Sequence, residues 1–190
     1  TLLRLLSWNQ PVVGALCFSR YCPVAPTIYA GKPAGAPEGY YRIHYAETRA
    51  WIVAHTELLS NRDAVLQPRP DDALTPVDFT GAHCLLVRRD VLEAVGAPWF
   101  RRLTPESEAA TGADRYFCER ARAAGFPLYV DRSVVSGHMV GGRCIGALDF
   151  LAWDAVTDWK ARRFVVAPSA SEPAALPGPY RRETLTIGEE

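Results

Sequence analysis

An α/β fold, with a mixed sheet flanked by helices, is predicted by three joins between segments of different periodicity. A helical apolar stretch over 2–8 runs into a short apolar run over 12–18. An apolar run ending at Val87 leads into a helical stretch that stops at Gly96. A helical stretch over 114–124 precedes two β-branched runs between 126 and 135. Strand-like and helical segments that follow one another in one chain are the pattern of a sheet covered by helices. A chain of 190 residues, 48% hydrophobic and 22% charged, has enough apolar side chain for one genuine core, so one main domain is expected.

Taken in order, Leu2, Leu3, Leu5 and Leu6 with Trp8 carry the helical pattern, and Asn9 to Pro11 end it. The residue before a proline is pushed out of the helical region. Val12 to Phe18 is short, apolar and partly β-branched, which predicts a buried strand. From Arg20 to about Pro76 the chain is rich in Pro, Gly and Tyr and predicts long loops with one helix around Glu47 to Leu59. Its aromatics Tyr21, Tyr29, Tyr40, Tyr41, Tyr45 and Trp51 suit either stacking on sugar rings or covering the core.

Asp78 to Val87 predicts one buried strand with a close backbone approach at Gly81, followed by a helix over Arg88 to Val95 and a rigid exit at Pro98-Trp99-Phe100. After a loop over 101–112, Phe117, Ala121 and Ala124 recur at helical spacing, so Asp114 falls at the start of a helix that Gly125 stops. Phe126 to Val130 and Ser133 to Val135 predict two short strands around a turn at Asp131-Arg132, which deliver Gly137 and His138 to a strand end. Ala147 to Arg163 predicts a last amphipathic helix. The domain is expected to occupy 1–165 and a flexible tail rich in Pro, Ala, Ser and Glu to occupy 166–190.

The 21 basic residues balance the 21 acidic ones, so no long-range field draws a polyanion and nucleic acid is not an expected partner. No run approaches the roughly 18 apolar residues of a membrane helix. Arg4 interrupts the apolar opening, so neither a membrane span nor a signal peptide is expected there and the expected location is cytoplasmic. The cysteines are odd in number: Cys17, Cys22, Cys84, Cys118 and Cys144. Four sit in apolar or aromatic surroundings that suit buried thiols, and Cys17 and Cys22 lack a second pair at zinc-site spacing.

Three pieces occur in order: Phe79-Thr80-Gly81-Ala82-His83-Cys84 with the apolar run after it; Trp99-Phe100 followed by Ala113-Asp114-Arg115-Tyr116-Phe117-Cys118; and Val130 to Val135 ending in Ser136-Gly137-His138. Together they resemble the second, acceptor-side half of family 2 type GT-A glycosyltransferases over about Val12 to His138. That family has a Gly-small-Cys strand, a Trp-Phe corner, a Glu-Asp pair opening a helix and a valine-rich strand ending in Gly-His.

The resemblance implies transfer of a sugar from a nucleotide-sugar donor to a hydroxyl of a carbohydrate or other acceptor, with a divalent metal (Mn or Mg) in the complete enzyme. Inverting transfer needs a carboxylate to take the acceptor's proton, and Asp114 matches the family's aspartate. Taken alone, Asp114 equally suits a first-turn aspartate that stabilises its helix. His138 matches a histidine near the metal or diphosphate and would be a metal ligand, although a strand-end histidine also suits a plain structural hydrogen bond. Gly81, Ala82 and His83 match a strand that lets backbone approach the sugar, or pack strands closely. Trp99 and Phe100 match an acceptor platform, or core.

Two departures qualify that pattern. Ala113 stands where the family has glutamate, and the nucleotide-binding strands with their Asp-x-Asp motif are expected just before Thr1, so the fold is expected to be an incomplete GT-A unit that depends on a missing N-terminal half or a partner. An exposed apolar sheet edge should accompany that loss. A non-catalytic carbohydrate- or partner-binding remnant is the rival reading, and a hydrolase pairing Asp114 with Glu106 or Glu108 is a third.

Overall fold

A computed structural model describes residues 1–19, 24–31, 45–60, 70–101, 112–155, 157–158 and 163–164. The opening leucines form α1 (Leu2–Leu6), and Ser7 donates its hydroxyl to the Arg4 carbonyl at 2.7 Å as the helix ends. Asn9 then takes a positive φ of 49°, a conformation asparagine tolerates, and the chain enters β1 (Val12–Leu16), buried at all five positions. Next come β2 (Ile28–Tyr29), α2 (Tyr45–Ala54) and α3 (Thr56–Ser60). The single helix expected over 47–59 is thus two. At the break Thr56 donates its hydroxyl to the carbonyls of Ile52 and Val53 at 3.0 and 3.1 Å, competing with the helical ladder.

The region read as loops also contains β3 (Leu74–Val77), whose internal Pro76 hides it from strand patterning. The proline is tolerated because β3 is an edge strand. The expected strand over 78–87 is not continuous. It divides into β4 (Phe79–Thr80), a 3-10 turn over Ala82–Cys84, and β5 (Leu85–Val87). β4 pairs with β2 while β5 pairs with β1, so one apolar run serves two sheets and must bend between them. α4 (Arg89–Val95) and α5 (Ala113–Ala123) follow. Gly96 and Gly125 lie beyond their ends with φ of 68° and 86°, as their stop positions predict.

β6 (Leu128–Val135) is one eight-residue strand rather than the two short ones expected. The turn signal at Asp131-Arg132 is used in an irregularity: Ala15 pairs with Asp131 but Leu16 pairs with Val135. Asp131 is fully buried there. Its Oδ1 accepts the Ser133 backbone N–H at 2.9 Å and the Ser133 hydroxyl at 2.6 Å, and its Oδ2 accepts the Trp8 indole N–H at 2.7 Å. A side chain that bonds two residues ahead bends the strand without ending it.

A hairpin that the sequence reading overlooked comes next, β7 (His138–Val140) and β8 (Arg143–Ile145), turning on Gly141 and Gly142 at φ of 55° and 81°. α6 (Ala147–Ala155) stops eight residues short of the expected Arg163. β9 (Thr157–Asp158) and β10 (Arg163–Phe164) pair antiparallel in its place, where the sequence turns β-branched at Val156-Thr157. The expected tail over 166–190 lies outside the described residues, as do Tyr21, Cys22, Tyr40, Tyr41, Glu106 and Glu108.

The main sheet runs β3-β6-β1-β5 and is mixed: β1 is parallel to β6 and antiparallel to β5, and β3 is antiparallel to β6. One face of β1, Val12 and Leu16, belongs to the main core with Val91 of α4, Phe117 of α5 and Phe150 of α6. The other face, Val13 and Ala15, packs with Leu5 of α1 and Val134. Burial on both faces explains why β1 reads as continuously apolar. α1 covers its face with one leucine and leaves Leu2, Leu3 and Leu6 exposed. Among the described residues no helix is long and apolar enough to cross a membrane.

Candidate functional site

Because β1 and β6 are parallel, their carboxyl ends open on one side of the sheet, the side on which open α/β sheets place ligands. Cys17 leaves β1 there, and Ser136, Gly137 and His138 leave β6. Ser136 donates its backbone N–H to the Leu16 carbonyl at 2.9 Å and holds the two exits together. β5 is antiparallel to β1, so its amino end arrives at the same place and brings His83 and Cys84 with it.

Two imidazoles meet at this edge. The rings of His83 and His138 lie 4.1 Å apart at a tilt of 56°. His138 is half-buried and its Nδ1 stands 3.2 Å from the Phe18 carbonyl. A carbonyl only accepts, so in this contact Nδ1 carries the proton and Nε2 is left as the acceptor nitrogen. That orientation suits one nitrogen ligand of a metal. Among the described residues, however, no group of three or more His, Cys, Asp or Glu side chains is placed to hold a metal ion. No chemical step below passes through a metal ion.

Asp114 occupies the first turn of α5, with Gly112 rather than Asp114 as the capping residue and no side-chain capping bond at that end. One helical turn onward on the same face, the Cys118 thiol points at the Thr80 carbonyl of β4 at 3.7 Å. Asp114 therefore faces the β2–β4 pair. Its carboxylate is half-buried, and it makes no hydrogen bond or ion pair with any described residue. Arg115, its neighbour in sequence, is by contrast paired with Glu119 at 2.7 Å along the outside of the helix.

The carboxylate's charge is felt by its surroundings. Burial above all pushes the Cys17 thiol up to about 12, against a lowering hydrogen bond from Ser136, and Asp114 adds to the rise. Cys118 is pushed up to about 12, first by burial and then, with Thr80 acting in the opposite sense, by Asp114. The Tyr29 phenol is raised by burial and next by Asp114. Cys144, in contrast, is exposed, unlike the buried thiols expected from their surroundings, and Cys84 is intermediate. Iodoacetamide at pH 8 is accordingly expected to alkylate Cys144 in the native protein while Cys17 and Cys118 stay unmodified until denaturant is added, as peptide mass spectrometry will read directly. Native labelling of Cys17 at the rate of Cys144 would contradict the burial described.

The remaining candidates divide between site and scaffold. Gly81 is buried, and a Cβ there would meet the Thr27 hydroxyl at 3.1 Å, so its smallness serves protein packing. Thr27 in turn donates to the Cys17 carbonyl at 3.2 Å. Ala82 is half-buried in the 3-10 turn, and His83 alone of the three is exposed. Trp99 donates its indole N–H to the Leu92 carbonyl at 2.8 Å, and Phe100 stacks on Phe117 with centroids 4.9 Å apart. Their outer surfaces, 43% and 46% exposed, lie beside α4 and α5. Trp51 is buried and Tyr45 bonds Asp154 at 2.9 Å, so both belong to the scaffold.

Sequence reasoning passed over Asp131, whose polar character read as a turn, and did not single out Tyr29 from the other loop aromatics. Nothing in the local sequence joins Tyr29 to Asp114. Only the pairing of β2 with β4 and the packing of α5 on β4 do. No protein-family model matches this chain and no curated protein matches it.

Proposed function

We propose that this chain is the acceptor-side half of a GT-A type glycosyltransferase acting on a nucleotide-sugar donor, with Asp114 as the general base. The observation that carries the reading is the Asp114 carboxylate: half-buried, unpaired among the described residues, and set on the face of α5 that looks onto the β2–β4 pair. Carboxylates that only stabilise a helix start need no such burial.

In the step this supports, an acceptor hydroxyl gives its proton to an Asp114 oxygen while its own oxygen bonds to the anomeric carbon of the donor. The bond from that carbon to the diphosphate oxygen breaks, and its electron pair leaves with the nucleoside diphosphate. Attack from the opposite side inverts the anomeric centre. A positioned base of this kind contributes roughly 10²- to 10⁴-fold. Trp99 and Phe100 offer apolar ring surface to an acceptor, and His83 and His138 stand at the strand-end edge. Donor binding falls to a nucleotide-binding half supplied with the chain.

Ala113 favours a second reading, a carbohydrate-binding remnant without turnover, because a carboxylate the family places beside the base is replaced by a methyl group. Joining the chain to a GT-A nucleotide-binding half and supplying UDP-, GDP- and dTDP-sugars with methyl glycoside acceptors separates the two. Glycoside of inverted configuration is the expected product. Binding of the glycosides with no transfer from any donor would establish the remnant instead.

A further inference from the structure

Tyr29 lies in the β2–β4 pair that α5 packs on, close enough for its phenol to feel the Asp114 charge. β2 pairs with β4 in antiparallel register, Tyr29 against Phe79 and Ile28 against Thr80. The Tyr29 and Phe79 rings stack at 4.6 Å with 26° between their planes, which fixes the phenol's position. α5 lies over the same pair through Cys118 and Thr80, and Asp114 stands one turn from Cys118 on that face.

Among the described residues the Tyr29 hydroxyl has no hydrogen-bond partner, although its ring is half-buried. Its backbone is tied down separately, since Asp78 donates its N–H to the Tyr29 carbonyl at 2.8 Å. The Asp78 carboxylate accepts the Gly31 N–H at 2.7 Å and pairs with Arg122 of α5 at 2.7 Å. The residue is thus held from three directions, with its one polar atom left over.

We infer that Tyr29 and Asp114 together form a hydroxyl-binding subsite for a polyhydroxylated ring. The subsite rests on the proposed transferase reading and specifies its acceptor side. An acidic acceptor and a polar donor within electrostatic reach of each other can serve two hydroxyls of one ring: one gives its hydrogen to the Asp114 carboxylate, and another accepts from the Tyr29 hydroxyl. Burial and the nearby negative charge both keep the phenol protonated, so it remains a donor throughout the physiological range. A ligand in this position is fixed by Tyr29 at an oxygen other than the one that Asp114 deprotonates. Tyr29 is accordingly a ligand-positioning residue.

The variants that test it are Tyr29→Phe, which keeps the ring stack on Phe79 and deletes only the hydroxyl, and Asp114→Asn. The probes are the methyl glycosides of glucose, galactose, mannose and N-acetylglucosamine, titrated into the full chain and followed by amide chemical shifts and by the ζ-carbon signals of labelled tyrosines. At least one glycoside is expected to shift Tyr29, and Tyr29→Phe is expected to weaken its Kd about tenfold with the rest of the spectrum unchanged. In Asp114→Asn without any sugar, the Tyr29 pKa is expected to move down toward the ordinary phenol value.

Equal affinity in the wild type and Tyr29→Phe, shifts confined to Trp99 and Phe100, no binding by any glycoside, or a Tyr29 pKa indifferent to Asp114→Asn would each overturn the subsite. Turnover that is lost in Asp114→Asn but untouched in Tyr29→Phe would overturn it and leave the transferase reading standing. Sugar binding lost in Tyr29→Phe, with no turnover in any chain, would do the reverse.

Discussion

Asp114→Asn, in the chain joined to a nucleotide-binding half, is expected to lower kcat about a thousandfold, the middle of the range for loss of a positioned general base. The amide keeps the shape of the side chain and has no affinity for the acceptor's proton. Because the carboxylate has no hydrogen-bond or ion-pair partner among the described residues, the substitution breaks no such contact there. The only stabilising term removed is attraction to the amino end of α5, about 0.3–1 kcal/mol. Rate and stability therefore separate: a large fall in kcat with a urea midpoint nearly unchanged marks a base, and unaltered kcat with slightly lower stability marks a helix-end charge. Asp114→Glu extends the carboxylate by one methylene and is expected to recover part of the rate, since the chemistry is kept and only the placement is disturbed.

The largest effect on stability is expected far from that carboxylate, at Asp131. Replacing it with alanine leaves three donors without their acceptor: the Trp8 indole N–H, the Ser133 backbone N–H and the Ser133 hydroxyl. Each unsatisfied buried donor costs about 1–3 kcal/mol, so Asp131→Ala is expected to destabilise the protein by roughly 3–5 kcal/mol. Against a typical domain stability of about 5–15 kcal/mol that is a large fraction. The loss should also loosen the chain that leaves α1, because the Trp8 bond ties it to the middle of the sheet. Asp131→Asn keeps one acceptor oxygen and should cost less than half as much. Trp8→Phe deletes a single bond and should cost about 1–2 kcal/mol. Urea unfolding of the three variants checks the order, and a loss below about 1 kcal/mol for Asp131→Ala would show that the three donors find water instead.

Several elements were legible locally because their signals depend on neighbours in sequence. α1, β1, α4 and α5 fall where apolar spacing puts them, and Gly96 and Gly125 adopt the positive φ their positions require. The misreadings share one cause, which is that strand identity depends on a partner elsewhere in the chain. The apolar run over 78–87 divides because Phe79 and Thr80 find β2 while Leu85 to Val87 find β1. β3 escaped notice because Pro76 is compatible with a strand only at an edge, and an edge is defined by the assembled sheet. The polar Asp131-Arg132 reads as a turn until Trp8 and Ser133 arrive to satisfy the carboxylate inside a strand.

The candidate site follows the same division. Asp114, His83, His138, Trp99 and Phe100 were singled out through the resemblance, with Asp114 expected at a helix start and His138 at a strand end. Their relations were not. The contact between His83 and His138, the tie of Trp99 to Leu92 and the reach of the Asp114 charge to Tyr29 all join residues distant in sequence or on separate elements.

By itself, then, the sequence determined where α1, α4 and α5 lie, that β1 is a buried strand, and which residue types capable of acid–base chemistry fall at element ends. These depend on φ/ψ preference and apolar periodicity, which act over a few residues. Tertiary structure alone decided which strand ends share an edge, which thiols are buried, and which phenol feels the Asp114 charge. Those outcomes depend on long-range strand pairing and on desolvation, and neither exists until the chain has closed on itself.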